Sequence, residues 1–133
     1  MFKPLRTAAT LPAQDLERAK AFYRDKLGLT PNQEDAGGVI YRSAGGTGFG
    51  VFASSGKPSG THTQLAIEVE DVEGAVRDLQ AKGVKFEEYD TPGLKTVNGI
   101  AEIGGSKIAW FKDSEGNLIV LGLPVRVAAQ PRA

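Results

Sequence analysis

Residues 15–29 read "DLERAKAFYRDKLGL" and residues 71–84 read "DVEGAVRDLQAKGV". Laid over each other, Asp15 meets Asp71, Leu16 meets Val72, Glu17 meets Glu73 and Ala19 meets Ala75. Each segment sets its apolar residues on one helical stripe: Leu16, Ala19, Tyr23 and Leu27 in the first, Val72, Ala75, Val76 and Leu79 in the second. The leading aspartate offers a carboxylate to the free N–H groups of a first turn. Gly28 and Gly83, each followed by an apolar residue, suit the left-handed position that closes a helix. A repeat on this scale decides the fold if the flanks share its symmetry.

The flanks repeat as well. A short strand is expected before each helix, over roughly Leu5–Leu11 and Thr63–Val69. After the first helix comes "GGVIYRSAGGTGFGVFAS" (37–54), two strand-like runs about Gly45-Gly46. After the second comes "GIAEIGGSKIAWFKDSEGNLIVLGL" (99–123), with turns at Gly104-Gly105 and at "DSEGN". The order is βαβββ, twice. It predicts an α+β protein whose two paired modules form one cupped mixed sheet with the helices outside. Module one spans about 5–54, a Gly/Pro/Ser linker 55–61, module two about 62–123, and a frayed tail 124–133.

Strand parity predicts a hollow. In "QLAIEV" (64–69), Leu65, Ile67 and Val69 point one way, and Gln64, Ala66 and Glu68 the other. With the apolar set under the helices, modest side chains are left to line the opposite face, where small ligands bind. In "LIVLGL" (118–123), Leu118, Val120 and Gly122 likewise oppose Ile119, Leu121 and Leu123.

Composition narrows the function. Sixteen basic residues balance sixteen acidic ones, and the basic residues are scattered, which argues against a nucleic-acid or anionic-membrane partner. No apolar run approaches the ~20 residues of a membrane helix. The start, "MFKPLRTAAT", lacks the apolar centre of a secretory signal. The absence of cysteine removes disulfides and thiolate chemistry. A soluble cytoplasmic protein is expected. No phosphate loop precedes a helix, and no serine sits in a nucleophile elbow.

The paired modules, "LERAKAFYRDKLGL" and "AWFKDSEGNLIVL" resemble the vicinal oxygen chelate superfamily over about Leu5 to Leu123. That superfamily includes glyoxalase I, the bleomycin-resistance proteins, fosfomycin-resistance enzymes and extradiol dioxygenases. Ser114 stands where relatives often carry proline. The resemblance implies a cupped sheet, a homodimer and, in the metal enzymes, His, Glu or Gln ligands on the inner strand faces. Carried onto this chain, those positions fall at Ala8, Gln64 and Val120, with a further glyoxalase position near Val51. Alanine and valine have no lone pair, and Gln64 alone cannot supply the three or so protein ligands of a catalytic divalent ion. The expectation is therefore no metal and no cofactor.

The leading expectation is a metal-independent protein that binds a small organic molecule in the cleft, for sequestration, resistance or sensing. One alternative is a glyoxalase-like lyase or isomerase, or a dioxygenase-type enzyme, with a non-standard site. Another is a dimeric interaction module without a ligand. Expected ligand-binding residues are His62, Gln64, Glu68, Tyr41, Trp110 and Val120, with Glu68 and His62 as catalytic candidates in the enzyme reading. His62, the one histidine, fits either a pocket mouth or a linker turn. Glu68 fits either an inward face or a solvated strand end. Trp110 shares parity with Ile108 and Lys112, which leaves its direction open. Tyr41 could present its hydroxyl or pack as a strand aromatic. "EEYDTPGLKTVNG" (87–99) reads as a loop beside the cleft, with Asp90, Lys95 and Asn98 as further ligand contacts.

Overall fold

The computed structural model describes residues 1–122. Leu123 and the expected tail 124–133 lie outside the described residues. The first βαβββ set comprises β1 (Ala9–Ala13), α1 (Leu16–Asp25), β2 (Gln33–Asp35), β3 (Gly38–Arg42) and β4 (Gly48–Ala53). The second comprises β5 (Thr63–Ile67), α2 (Val72–Ala81), a two-stranded insertion β6 (Asp90–Thr91) and β7 (Leu94–Lys95), then β8 (Ile100–Ile103), β9 (Ser106–Lys112) and β10 (Leu118–Leu121). Two four-stranded sheets result, ordered β1-β4-β3-β2 and β5-β10-β9-β8. The first is mixed, with β1 parallel to β4 while β3 runs antiparallel to both β4 and β2. The fold is α+β.

Both helices start as their aspartates require. The Asp15 carboxylate accepts from the Arg18 N–H at 3.0 Å, and that of Asp71 from the Gly74 N–H at 3.0 Å. At the end of α2, Val84 N–H donates to Leu79 O (3.0 Å) and Gly83 N–H to Gln80 O (2.9 Å). Gly83 turns the chain at φ +90, which a side chain would strain.

The first strand begins later than Leu5. Its pairing starts at Ala9 opposite Phe49, and β4 begins only at Gly48, so in this parallel register residues 5–7 fall before the partner strand. Pro12 costs this strand little, because β1 is an edge of its sheet.

Contacts divide the chain into two compact units. Among the described residues, one is Met1–Gln64 together with Lys112–Leu118; the other is Leu65–Phe111 together with 119–122. In the first, α1 covers one sheet face through Tyr23, whose ring stacks on Tyr41 (5.2 Å, 17°) and packs against Phe49 (5.7 Å). In the second, Val72 and Val76 of α2 pack with Ala109, Val69, Phe86 and Ile100.

The "DSEGN" segment lies in sequence within the second module but clusters with the first unit, and its hydrogen bonds show why. Asp113 accepts at Oδ1 from the backbone N–H groups of Glu115 and Asn117, both at 2.9 Å. At Oδ2 it accepts from the Tyr23 hydroxyl (2.7 Å) and the Asn117 amide (2.9 Å). Asn117 also donates to Pro12 O at 3.0 Å. Glu115 receives Arg18 Nε (2.8 Å) and Nη2 (3.0 Å), the Ser114 hydroxyl (2.8 Å) and the Asp15 N–H (3.1 Å). The Arg18 hydrogen bonds lead in holding the Glu115 carboxyl down at about 2, helped by Asp15 N–H and Ser114. Burial first, and then the negative charge of Asp113, push the Tyr23 phenol up.

Candidate functional site

The face of the second sheet turned away from α2 is apolar. Ala101, Ile108 and Val120 form a buried cluster on it, with Ala66, Leu94 and Trp110 packed against them. Register settles the direction of Trp110. Ile100 opposes Ala109, which packs with α2, so Ala101, Ile108 and Trp110 take the other side. Val120 and Ala66 are there too, as alternation required. Gln64 shares the Ala66 side of β5, and its Oε1 is buried with no hydrogen-bond partner among the described residues.

Segment 87–99, read as an irregular loop, is a small hairpin laid against this face. Asp90 pairs with Lys95 and Thr91 with Leu94 about the turn at Pro92-Gly93. Leu94 joins the apolar cluster, and Tyr89 meets Trp110 edge-on, 5.4 Å between centroids at 85°. Its base is stitched. Thr96 Oγ1 donates to the Glu88 carboxylate (2.5 Å), which also accepts the Gly99 N–H (3.1 Å), while Tyr89 N–H donates to Thr96 Oγ1 (2.8 Å). Asn98 (φ 54) and Gly99 (φ 80) then turn the chain tightly, with Val97 and Ile100 exchanging both backbone bonds. An Asn-Gly pair is a strong local hairpin signal, and it was legible in the sequence. Asp90 and Lys95 face each other at 4.0 Å on the exposed outside of the hairpin.

The remaining expected residues are placed elsewhere. Tyr41, expected to offer its hydroxyl to a ligand, instead packs on the α1 side of the first sheet, 2% exposed and in a three-ring cluster with Tyr23 and Phe49. Burial raises its phenol, and the hydroxyl has no hydrogen-bond partner among the described residues. His62 is exposed just before β5, its Nδ1 2.9 Å from the Ser59 hydroxyl, which also meets Thr61 Oγ1 at 2.9 Å. It belongs to the linker turn. Glu68 follows β5 and is exposed.

The family's metal positions do not fit a divalent ion. Ala8 precedes β1, and Val120 is buried in the apolar cluster. Val51 is buried on the α1 side; the opposite side of β4 carries Gly50 and Phe52 instead. That is a one-residue parity correction, and neither residue is a ligand. Among the described residues no three His, Asp or Glu side chains come together as a metal site.

The opposite side of the first sheet was missed from sequence. Between β1 and β4 lies an open hollow of about 450 Å³, lined by Thr10, Leu11, Pro12, Phe52 and Ser54. The signal was present in "GFGVF" (48–52), where glycine alternates on the face that Phe52 shares.

No curated protein matches the chain. Among solved structures, TnmS3, an antibiotic binding protein from Streptomyces sp. CB03234, is similar at 23% identity and TM-score 0.64, over 92% of this chain and 99% of that one. A bleomycin resistance determinant encoded on transposon Tn5 is similar at 22% identity and TM-score 0.64, over 87% and 94%. The fosfomycin resistance protein FosX from Listeria monocytogenes is similar at 18% identity and TM-score 0.66, over 92% and 91%. The profile of the Glyoxalase/Bleomycin resistance protein/Dioxygenase superfamily matches residues 6–121, and the chain belongs to that superfamily.

Proposed function

We propose that this protein binds a small organic molecule on the apolar face of its second sheet, without a metal. The observation that carries the reading is Trp110 on that face, set among Ala66, Ile108 and Val120 beneath the 88–99 hairpin. Aliphatic and aromatic walls with few polar groups characterise small-ligand sites. Structural similarity to an antibiotic binding protein and to two resistance proteins supports the same reading. Ala8 and Val120 at two of the metal positions, with Gly50 or Phe52 at the corrected one on β4, support independence from metal, since none of these side chains has a lone pair to give.

The test is a thermal-shift screen against antibiotics and metabolites, followed by calorimetry on Trp110→Leu. One chemical class is expected to raise the melting temperature by several degrees, and Trp110→Leu to weaken its binding by roughly tenfold. Binding undiminished in the variant would sink the site. Metal analysis of purified protein is expected to find no stoichiometric divalent ion; a tightly held one would return the enzyme reading.

On this reading the chain works as a cytoplasmic homodimer. Sedimentation is expected to give twice the mass of one chain. A monomer at micromolar concentration would count against it.

A further inference from the structure

We infer that the hollow of the first unit is a shelf for a flat, uncharged conjugated ring, with Phe52 as its floor. The inference rests on the small-molecule reading above and adds a ligand class to it. Phe52 lies next to the last residue of β4 on the face opposite α1, directly across from Gly38 of β3 and two residues after Gly50. A Cβ built on Gly38 would lie 2.2 Å from Phe52 Cδ1, and one built on Gly50 would lie 2.3 Å from Phe52 Cε2. Those two ring atoms are diametrically opposite. The ring therefore lies across both strands at once, in the space that two missing side chains leave. Both glycines are buried under it, and Ile40 Cδ1 closes the same side at 3.2 Å from the Gly50 Cβ position.

A phenylalanine on an ordinary strand face stands away from the sheet and presents an edge. Here one π face is spent on glycine backbone and the other is left open. The hollow beside it, about 450 Å³, is bounded by Thr10, Leu11, Pro12 and Ser54. None of these carries a charge, so a charged ligand group would find no partner among them. A ring stacked on Phe52 gains dispersion and apolar burial, and two hydroxyls stand at the rim for a carbonyl or ether oxygen.

The experiment uses two neutral thirteen-carbon ketones, flat 9-fluorenone and non-planar dicyclohexyl ketone. Their affinities are measured by calorimetry on the full chain, its Gly50→Ala and Phe52→Leu variants and Trp110→Leu, with amide chemical-shift mapping of the complexes. The Gly50 methyl meets side-chain ends alone, the far edge of Phe52 and Ile40 Cδ1, so Gly50→Ala should keep the fold while displacing the ring from its seat. Fluorenone is expected to shift the amides of Thr10, Gly50 and Phe52 and to bind roughly tenfold more tightly than the other ketone. Gly50→Ala and Phe52→Leu are each expected to lose about that preference, with melting temperatures within a few degrees of the parent. Equal affinity for the two ketones, or fluorenone binding unchanged in both first-sheet variants, overturns the shelf. If Trp110→Leu alone abolishes binding, the shelf falls and the small-molecule reading stands. If neither ketone binds the parent, the shelf falls, and the screen above decides the broader reading separately.

Discussion

Asp113→Ala is expected to destabilise the folded chain by about 4 kcal/mol, measured as a drop in urea midpoint at unchanged slope. One carboxylate collects four donors: two backbone N–H groups, the Asn117 amide and the Tyr23 hydroxyl. Tyr23 and Asn117 are fully buried, so their freed groups would not find water. A buried donor left unpaired costs about 1–3 kcal/mol, and the members of one network do not add independently. Tyr23→Phe removes a single hydroxyl and is expected to cost about 1 kcal/mol. If Asp113→Ala proves no worse than Tyr23→Phe, the hub assignment fails.

Stability is expected to fall by about 2 kcal/mol as the pH drops from about 4.5 toward 2, and Glu115→Gln should remove that dependence. The Glu115 side chain is 1% exposed and bonded to Arg18, and its carboxyl is held at about 2 in the folded chain against an unperturbed 4.5. A depressed folded value means that the unfolded chain takes up the proton first. The contribution is complete above 4.5 and is lost as the carboxyl is protonated on the way down. The Arg18 side chain is 54% exposed, so water screens its half of the pair and keeps the figure below what the full shift implies. Acid titration of the urea midpoint for parent and Glu115→Gln gives the check. Parallel curves through this window would contradict the assignment.

Ser114 bears on the same pair. Its hydroxyl donates to Glu115 Oε2, which a proline at that position could not do. Departure from the common residue thus supplies one of the bonds that hold the glutamate ionised.

The repeat, the helix caps and the strand faces were legible because they are local. Asp15 and Asp71 cap the residues three ahead, and alternation placed Ala66 and Val120 on the open face. What sequence could not settle was parity at isolated points. The direction of Trp110 depends on the pairing of β8 with β9, and Val51 and Phe52 exchange faces on a one-residue slip. Tyr41 was ambiguous for the same reason until its stack with Tyr23 fixed it. The contacts of Tyr23 with Asp113 and of Pro12 with Asn117 join residues 90 and 105 apart, beyond the reach of any local pattern. The Asn98-Gly99 turn is a local signal within a segment whose Pro92-Gly93 pair and lack of periodicity read as loop.

The turn at 113–117 also orders events during synthesis. As the chain emerges from the ribosome, its first four strands and first helix appear long before Asp113 does. Until then the Tyr23 phenol and the Pro12 carbonyl lack the partners they have in the finished protein. The amino-terminal half must wait for a clasp encoded near the other end, so its completion is slow and non-local. A nascent chain stalled before residue 113 should be open to proteases, and one released beyond 117 should close.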